Sequence, residues 1–254
     1  MKSNLKPQTS NIAAVAESEK LEAICVAFPK EGLFAEKDWL LSPDAFPIDK
    51  KFLAELEQLG HRLFVFQRAC NQLYQLSVKG KQPAWIARYV DAGKPPELIE
   101  FSRRKEIRDD LPRVIRPDLI LTEQGYIIAE IDSVPGGIGL TGWLNQTYSA
   151  FDTEIIGGVE GMLDGFKSVL PDGGDIVISQ EAATYRPEME WTAAQLNQHS
   201  TSQSWRVVAA ENYEPQDGRA VYRFFELFDL PNIPKIDKTL RANAEGRITI
   251  TPPI

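Results

Sequence analysis

Two runs of strand composition, Arg116–Thr122 and Tyr126–Asp132, flank Glu123, Gln124 and Gly125, and no other stretch of the chain constrains its fold as tightly. Glycine stands where a three-residue turn needs a left-handed residue, so the segment predicts a β-hairpin. If Thr122 pairs with Tyr126, then Ile120 faces Ile128, Asp118 faces Glu130 and Arg116 faces Asp132. Odd positions Leu119, Leu121, Ile127, Ala129 and Ile131 form an apolar face for the core. Even positions gather Arg116, Asp118, Glu130 and Asp132 at the open end of the other face.

Opposed carboxylates at Asp118 and Glu130 cost stability unless something positive sits beside them. Arg116 supplies one positive charge, and a hard divalent cation would supply the rest. Magnesium fits, because it takes oxygen ligands and is commonly held by one or two carboxylates plus substrate phosphates. From charge pattern alone, a solvated face whose arginine satisfies its neighbours accounts for the same residues equally well. The next residues, Ser133 to Thr141 (SVPGGIGLT), favour the site. They form a glycine-rich turn in which backbone amides can approach an anion. It is neither a P-loop nor a GxGxxG fingerprint, and a structural turn is the plainer reading of it.

Around the hairpin the chain predicts an α/β protein. Residues 1–20 are polar and expected as a flexible arm, followed by a buried strand at Leu21–Phe28. Apolar residues three and four apart from Phe52 to Leu76 predict two or three helices with a break near Gly60. Another helix starts at Pro95. Beyond the hairpin, 151–170 is helical toward its end, Asp175–Gln180 and Trp205–Ala210 are strands around a helix over Pro187–Gln198, and Ala220 opens a third strand. This is a βαβ pattern with parallel pairing. Ligands of such sheets sit beyond the carboxyl ends of the strands, here Gln180 to Tyr185, with Glu181 and Tyr185 as candidate substrate contacts, and Asn212 to Glu214.

The segment R-P-D, a hairpin, then E-I-D-S-V-P-G resembles the R-x-D … E-x-N-[TS]-x-P-G segment of ATP-grasp ligases such as D-alanine–D-alanine ligase. The resemblance implies Asp118, Glu130 and Asp132 as magnesium ligands and Arg116 as the catalytic arginine that stabilises an acyl phosphate or tetrahedral intermediate. It further implies a substrate-carboxylate loop at Pro135, Gly136 and Gly137, flanked by Ser133 and Thr141. Asp132 departs from the usual asparagine, which keeps an oxygen ligand and adds a charge. Because the motif precedes an α/β segment, the order is similar to the circularly permuted branch that includes glutathionylspermidine synthase-like proteins, as is YRFFELFDLPNIP at Tyr222–Pro234. The likeness spans Leu53 to Pro234 and is strongest at the hairpin.

That resemblance implies an ATP-grasp-like region over 21–150, a Rossmann-like (pre-ATP-grasp) substrate-binding segment over 151–226, and the start of a further ATP-grasp region over 227–254. It implies ATP and Mg2+ as cofactors, small carboxylate and amine substrates, and amide formation through an acyl phosphate. The family's nucleotide-binding lysines would follow the YRFFELF stretch, so the chain is expected to be a portion of a longer enzyme or a shortened homologue. The alternative is a non-catalytic substrate-binding or scaffold domain that works with a partner chain. Lys235, Lys238 and Arg241 are expected to be solvated rather than phosphate-binding.

The remaining residues exclude other classes. Thirty-six acidic against 28 basic residues, with only Arg103–Lys105 as a basic run, argue against a nucleic-acid partner. No long apolar run or secretory leader is evident, and a cytoplasmic location is expected. Cys25 and Cys70 lie in apolar surroundings and are expected to be buried thiols. His61, at an expected helix-to-strand junction, and His199, in a polar loop, have no serine or cysteine partner pattern, so nucleophilic catalysis is not expected.

Overall fold

A computed structural model describes residues 8–33, 35, 38–198 and 205–254. It is a mixed α/β protein. The order is α1 (Gln8–Ala27), α2 (Lys50–Val78), α3 (Ala84–Asp91), α4 (Pro96–Ser102), β1 (Arg116–Thr122), β2 (Gly125–Asp132), α5 (Ile138–Ser149), α6 (Gly161–Val169), β3 (Gly174–Ile178), α7 (Arg186–Gln198), β4 (Trp205–Ala209), β5 (Ala220–Phe224), α8 (Ile236–Ala244) and β6 (Thr249–Thr251).

Strands β4, β3, β5 and β6, in that spatial order, form one parallel sheet. Every residue of β3 is buried, as expected of a central parallel strand covered on both faces. On one face Ile176, Ile178, Tyr222 and Phe224 pack against Leu163 and Phe166 of α6 and Met189, Ala193 and Leu196 of α7. On the other, Val177, Val221, Phe225 and Ile250 pack against Leu230, Ile233 and Ala242. The stretch 227–254 therefore belongs to this sheet, through β6. After β3 the chain turns to the α7 face, and after β5 it turns to the α8 face, so β3 and β5 flank a topological switch point. In open α/β sheets the crevice at such a point is where ligands bind.

Several expectations fail in the first third of the chain. Residues 8–20 of the expected arm and the expected strand Leu21–Phe28 lie largely in α1. Leu21, Ile24 and Phe28 turn inward at spacings of three and four, with Ile24 fully buried. Helix α2 is continuous through Gly60. An exposed glycine costs a helix only about 1 kcal/mol relative to alanine. Capping of the Phe52 amide by Asp49 (2.8 Å) and burial of Leu59 and Leu63 outweigh that cost. His61 is thus an exposed mid-helix residue, while His199 lies outside the described residues. Cys25 and Cys70 are exposed, because each sits on the outward side of its helix. Among the described residues no helix is long and apolar enough to cross a membrane.

Hairpin β1–β2 is a separate two-stranded sheet. Arg116 pairs with Asp132 and Asp118 with Glu130, as the sequence predicts, but beyond them the register slips by one. Leu119 faces Ile128, Ile120 faces Ile127 and Thr122 faces Gly125. Ala129 is the extra residue of a β-bulge, and only Glu123 and Gln124 remain in the turn. A one-residue slip moves side chains to the opposite face. Ile127 joins Ile120 on the carboxylate side, and the apolar face predicted for the core is not buried: Leu121 is 51% and Ile127 58% exposed. Contact with the helices runs instead through Tyr126, whose ring lies 5.7 Å from that of Phe52.

Candidate active site at the switch-point crevice

The open end of the hairpin meets the carboxyl ends of β3 and β5 around a cavity of roughly 250 Å³. Arg116 and Asp132 come from the hairpin and Val134 and Gly136 from the loop after it. Glu181, Ala182 and Tyr185 follow β3, and Phe225, Glu226, Phe228 and Asp229 follow β5. The crevice thus opens where the sheet topology alone would place a ligand.

Arg116 is the centre of the polar wall. Its Nε donates to Asp118 Oδ1 at 3.0 Å, one Nη lies 3.3 Å from Asp132 Oδ2, and the other donates to the Gly136 carbonyl at 3.2 Å. Asp132 Oδ1 accepts the Val134 amide at 2.7 Å, which fixes the turn out of β2. Arg116 remains 41% exposed, so it is held in place and still reachable by solute. The three expected metal ligands are not equivalent here. Both Asp132 oxygens face protein donors, whereas Asp118 and Glu130 are cross-strand neighbours with exposed or half-exposed carboxylates. Among the described residues no group of three or more His, Cys, Asp or Glu side chains is arranged to hold a metal. Asp118, which accepts from Arg116 through one oxygen, and Glu130 are thus left as a cross-strand carboxylate pair open to solvent.

The glycine-rich loop departs from its expected role. The amides of Gly137 (2.7 Å) and Leu140 (3.4 Å) donate to the carboxylate of Glu188 on α7, and the Gly139 amide also faces it. The anion these amides attract is thus the protein's own. Gly137, at φ +85°, precedes α5 and offers no side-chain cap, so Glu188 caps that helix from a neighbouring one. A Cβ at Gly139 would stand 2.5 Å from the Glu188 carbonyl oxygen, and one at Gly136 would stand 2.2 Å from the Tyr185 ring. These glycines permit close approach of chain segments. Of the remaining candidates, Glu181 and Tyr185 line the crevice, with Glu181 accepting from Asn232 at 2.8 Å. Ser133 and Pro135 do not line it, and Thr141 lines a separate cavity with Phe46 and Tyr148. Glu214, beyond β4, pairs with Lys235 and Lys238 at 2.8 and 3.1 Å on the surface.

Several site residues escape a sequence reading. Burial pushes the Glu188 carboxyl up, against the pull of the loop amides. Arg223, inside β5, is 3% exposed; burial lowers its guanidinium to about 10, and it donates to the carbonyls of Phe225, Pro252 and Pro253. Half-buried Glu226 is pushed up by burial, with Arg223 pulling the other way. Asp229 holds the Glu226 amide at 3.0 Å and accepts from Ser179. Two of them leave a sign in the sequence: an arginine inside the apolar run AVYRFF, and a glutamate on the same helical face as Met189, Thr192 and Leu196. Neither sign tells which groups will meet it.

No protein-family profile, curated protein or solved structure matches the chain.

Proposed function

We propose that the crevice is the acid-substrate side of an ATP-dependent carboxylate–amine ligase, with the hairpin ATP-grasp-like and the parallel sheet a Rossmann-like substrate-binding segment. The observation that carries this reading is a partly solvated guanidinium, Arg116, held between Asp118, Asp132 and Gly136 O at the mouth of a switch-point crevice. A substrate carboxylate would pair with Arg116, and its amine partner would approach past Glu226 and Glu181, beside the Phe225 and Phe228 rings, where carboxylates and aromatic faces favour a cation.

In the reaction, a carboxylate oxygen attacks the γ-phosphorus of ATP and releases ADP. The amine, after giving up the proton of its ammonium form, attacks the carbonyl carbon and expels phosphate, and a second amine proton is lost as the amide forms. Arg116 orients the carboxylate and offsets the oxyanion of the second step. Asp118 and Glu130 would hold Mg2+, which when bound neutralises phosphate charge. Calorimetric titration with Mg2+ and a non-hydrolysable ATP analogue tests this assignment. The expected result is nucleotide binding that requires Mg2+ and weakens at least tenfold in Glu130→Gln. Nucleotide binding of equal strength in Glu130→Gln would remove the hairpin from the metal site.

A second reading, a substrate-binding domain completed by a partner chain, is favoured by the hairpin's exposed apolar residues on both faces, Ile120 and Ile127 on one and Leu121 on the other. It predicts that this chain alone gives no heat with the nucleotide at any Mg2+ concentration.

A further inference from the structure

We propose that Glu188 is a positioning residue for Arg116, acting through the loop 136–140 that its carboxylate grips. This inference rests on the reading of Arg116 as the substrate's counter-ion.

The chain of contacts is short. Glu188 Oε1 accepts the Gly137 amide at 2.7 Å and Oε2 the Leu140 amide at 3.4 Å. The residue before Gly137 is Gly136, whose carbonyl accepts from Arg116 at 3.2 Å. Tyr185, one turn before Glu188, lies against Gly136 so closely that no side chain fits between them. Segment 185–188 therefore holds the loop by a ring on one residue and a carboxylate on the next, which sets where the Gly136 carbonyl points. Asp118 and Asp132 hold Arg116 from the hairpin side, and the loop is its third anchor.

A fully buried carboxylate is an expensive way to cap a helix, since a serine or aspartate at the N-cap position does the same from the surface. Placing the acceptor on α7 instead ties the loop to the segment that follows β3, the same segment that lines the crevice with Glu181 and Tyr185. Helix α5 carries no charged residue, Arg116 is the cation that faces Glu188 from the hairpin, and Tyr222 faces it from β5. On its own helix, Arg186 is paired with Glu190 at 3.6 Å.

Glutamine at 188 keeps the shape but turns an NH2 donor toward one of the two amides. In the ligand-free, 15N-labelled protein at low temperature, the Arg116 Nη–H signals, assigned by their loss in Arg116→Lys, report the bond to the Gly136 carbonyl. The expected result for Glu188→Gln is Nη–H exchange with solvent about fivefold faster at Arg116, the worth of one net hydrogen bond. The Arg206 signal, from the far end of the sheet, should not change. An unchanged Arg116 signal beside a Gly137 amide that has lost its protection would overturn the proposal.

If that variant does not fold, Glu188→Asp gives the same decision, because it keeps the charge and withdraws the acceptor oxygens from the Gly137 and Leu140 amides. Exchange at the Arg116 Nη–H should quicken in the same sense, and an unchanged Arg116 signal beside a Gly137 amide that has lost its protection would again overturn the proposal. Since no ligand is present, either outcome is independent of whether the crevice binds the substrates proposed for it.

Discussion

Replacing Arg116 with alanine is expected to weaken binding of a simple carboxylate probe, N-acetylglycine, about tenfold. A charge-assisted hydrogen bond contributes roughly 1.5–3 kcal/mol, and the exposure of Arg116 places it at the low end of that range. Arg116→Lys should recover little of the loss. An ammonium group cannot span Asp118, Asp132 and the Gly136 carbonyl and still present a paired donor edge to a ligand. Binding of glycinamide, an amine with no carboxylate, should be unaffected or strengthened, because removing the guanidinium leaves the crevice more negative. Calorimetric titration of both probes against the three proteins checks this. Equal loss for the two probes would mean a collapsed crevice rather than a lost counter-ion.

The largest effect on stability is expected at the opposite end of the sheet. Asp175, at the start of β3, is fully buried and receives Arg206 through two bonds of 2.9 Å, together with Arg219 and the Tyr213 hydroxyl. Burial pushes its carboxyl up, but the bonds from Arg206 and Arg219 outweigh burial and leave it below the usual aspartate value. Asp175→Asn should destabilise the fold by about 3 kcal/mol, the low end for breaking a buried pair because Arg206 can turn to water. For a chain of this size that lowers Tm by roughly 10 °C. The depressed folded-state pKa means that the carboxylate's contribution is fully present above about pH 4 and is lost as pH falls through the lower, folded-state value. The variant should therefore show a flatter acid limb in thermal melts followed from pH 5 to pH 2. An unchanged acid limb would mean that Asp175 does not govern acid stability.

The parallel sheet was legible from the sequence because β3, β4 and β5 are short apolar runs separated by turns and a helix, a pattern that few other folds share. At the hairpin, local pairing of Arg116 with Asp132 and Asp118 with Glu130 was legible for the same reason. The bulge at Ala129 was not, because an extra residue leaves the composition of both strands unchanged. The fate of the apolar hairpin face depends on what packs against it, and alternation along a strand says nothing of that. Leu21–Phe28 went to a helix because an eight-residue run with seven apolar residues suits either structure until its neighbours choose. The glycine-rich loop is the most instructive case. Its amides do face an anion, but the anion is supplied by Glu188, 51 residues beyond Gly137. Long-range satisfaction of a buried carboxylate follows from tertiary packing, and no local motif encodes it.

Amide chemical-shift mapping during titration with N-acetylglycine and glycinamide tests the central claim, that the switch-point crevice is the substrate site. The predicted result is a single cluster of shifting signals at Gly136, Tyr185, Phe225 and Glu226 for both probes, with N-acetylglycine alone also moving the Arg116 Nε–H. Shifts centred instead on the groove between Leu98 and Leu240, or no saturable shifts at the crevice, would contradict it.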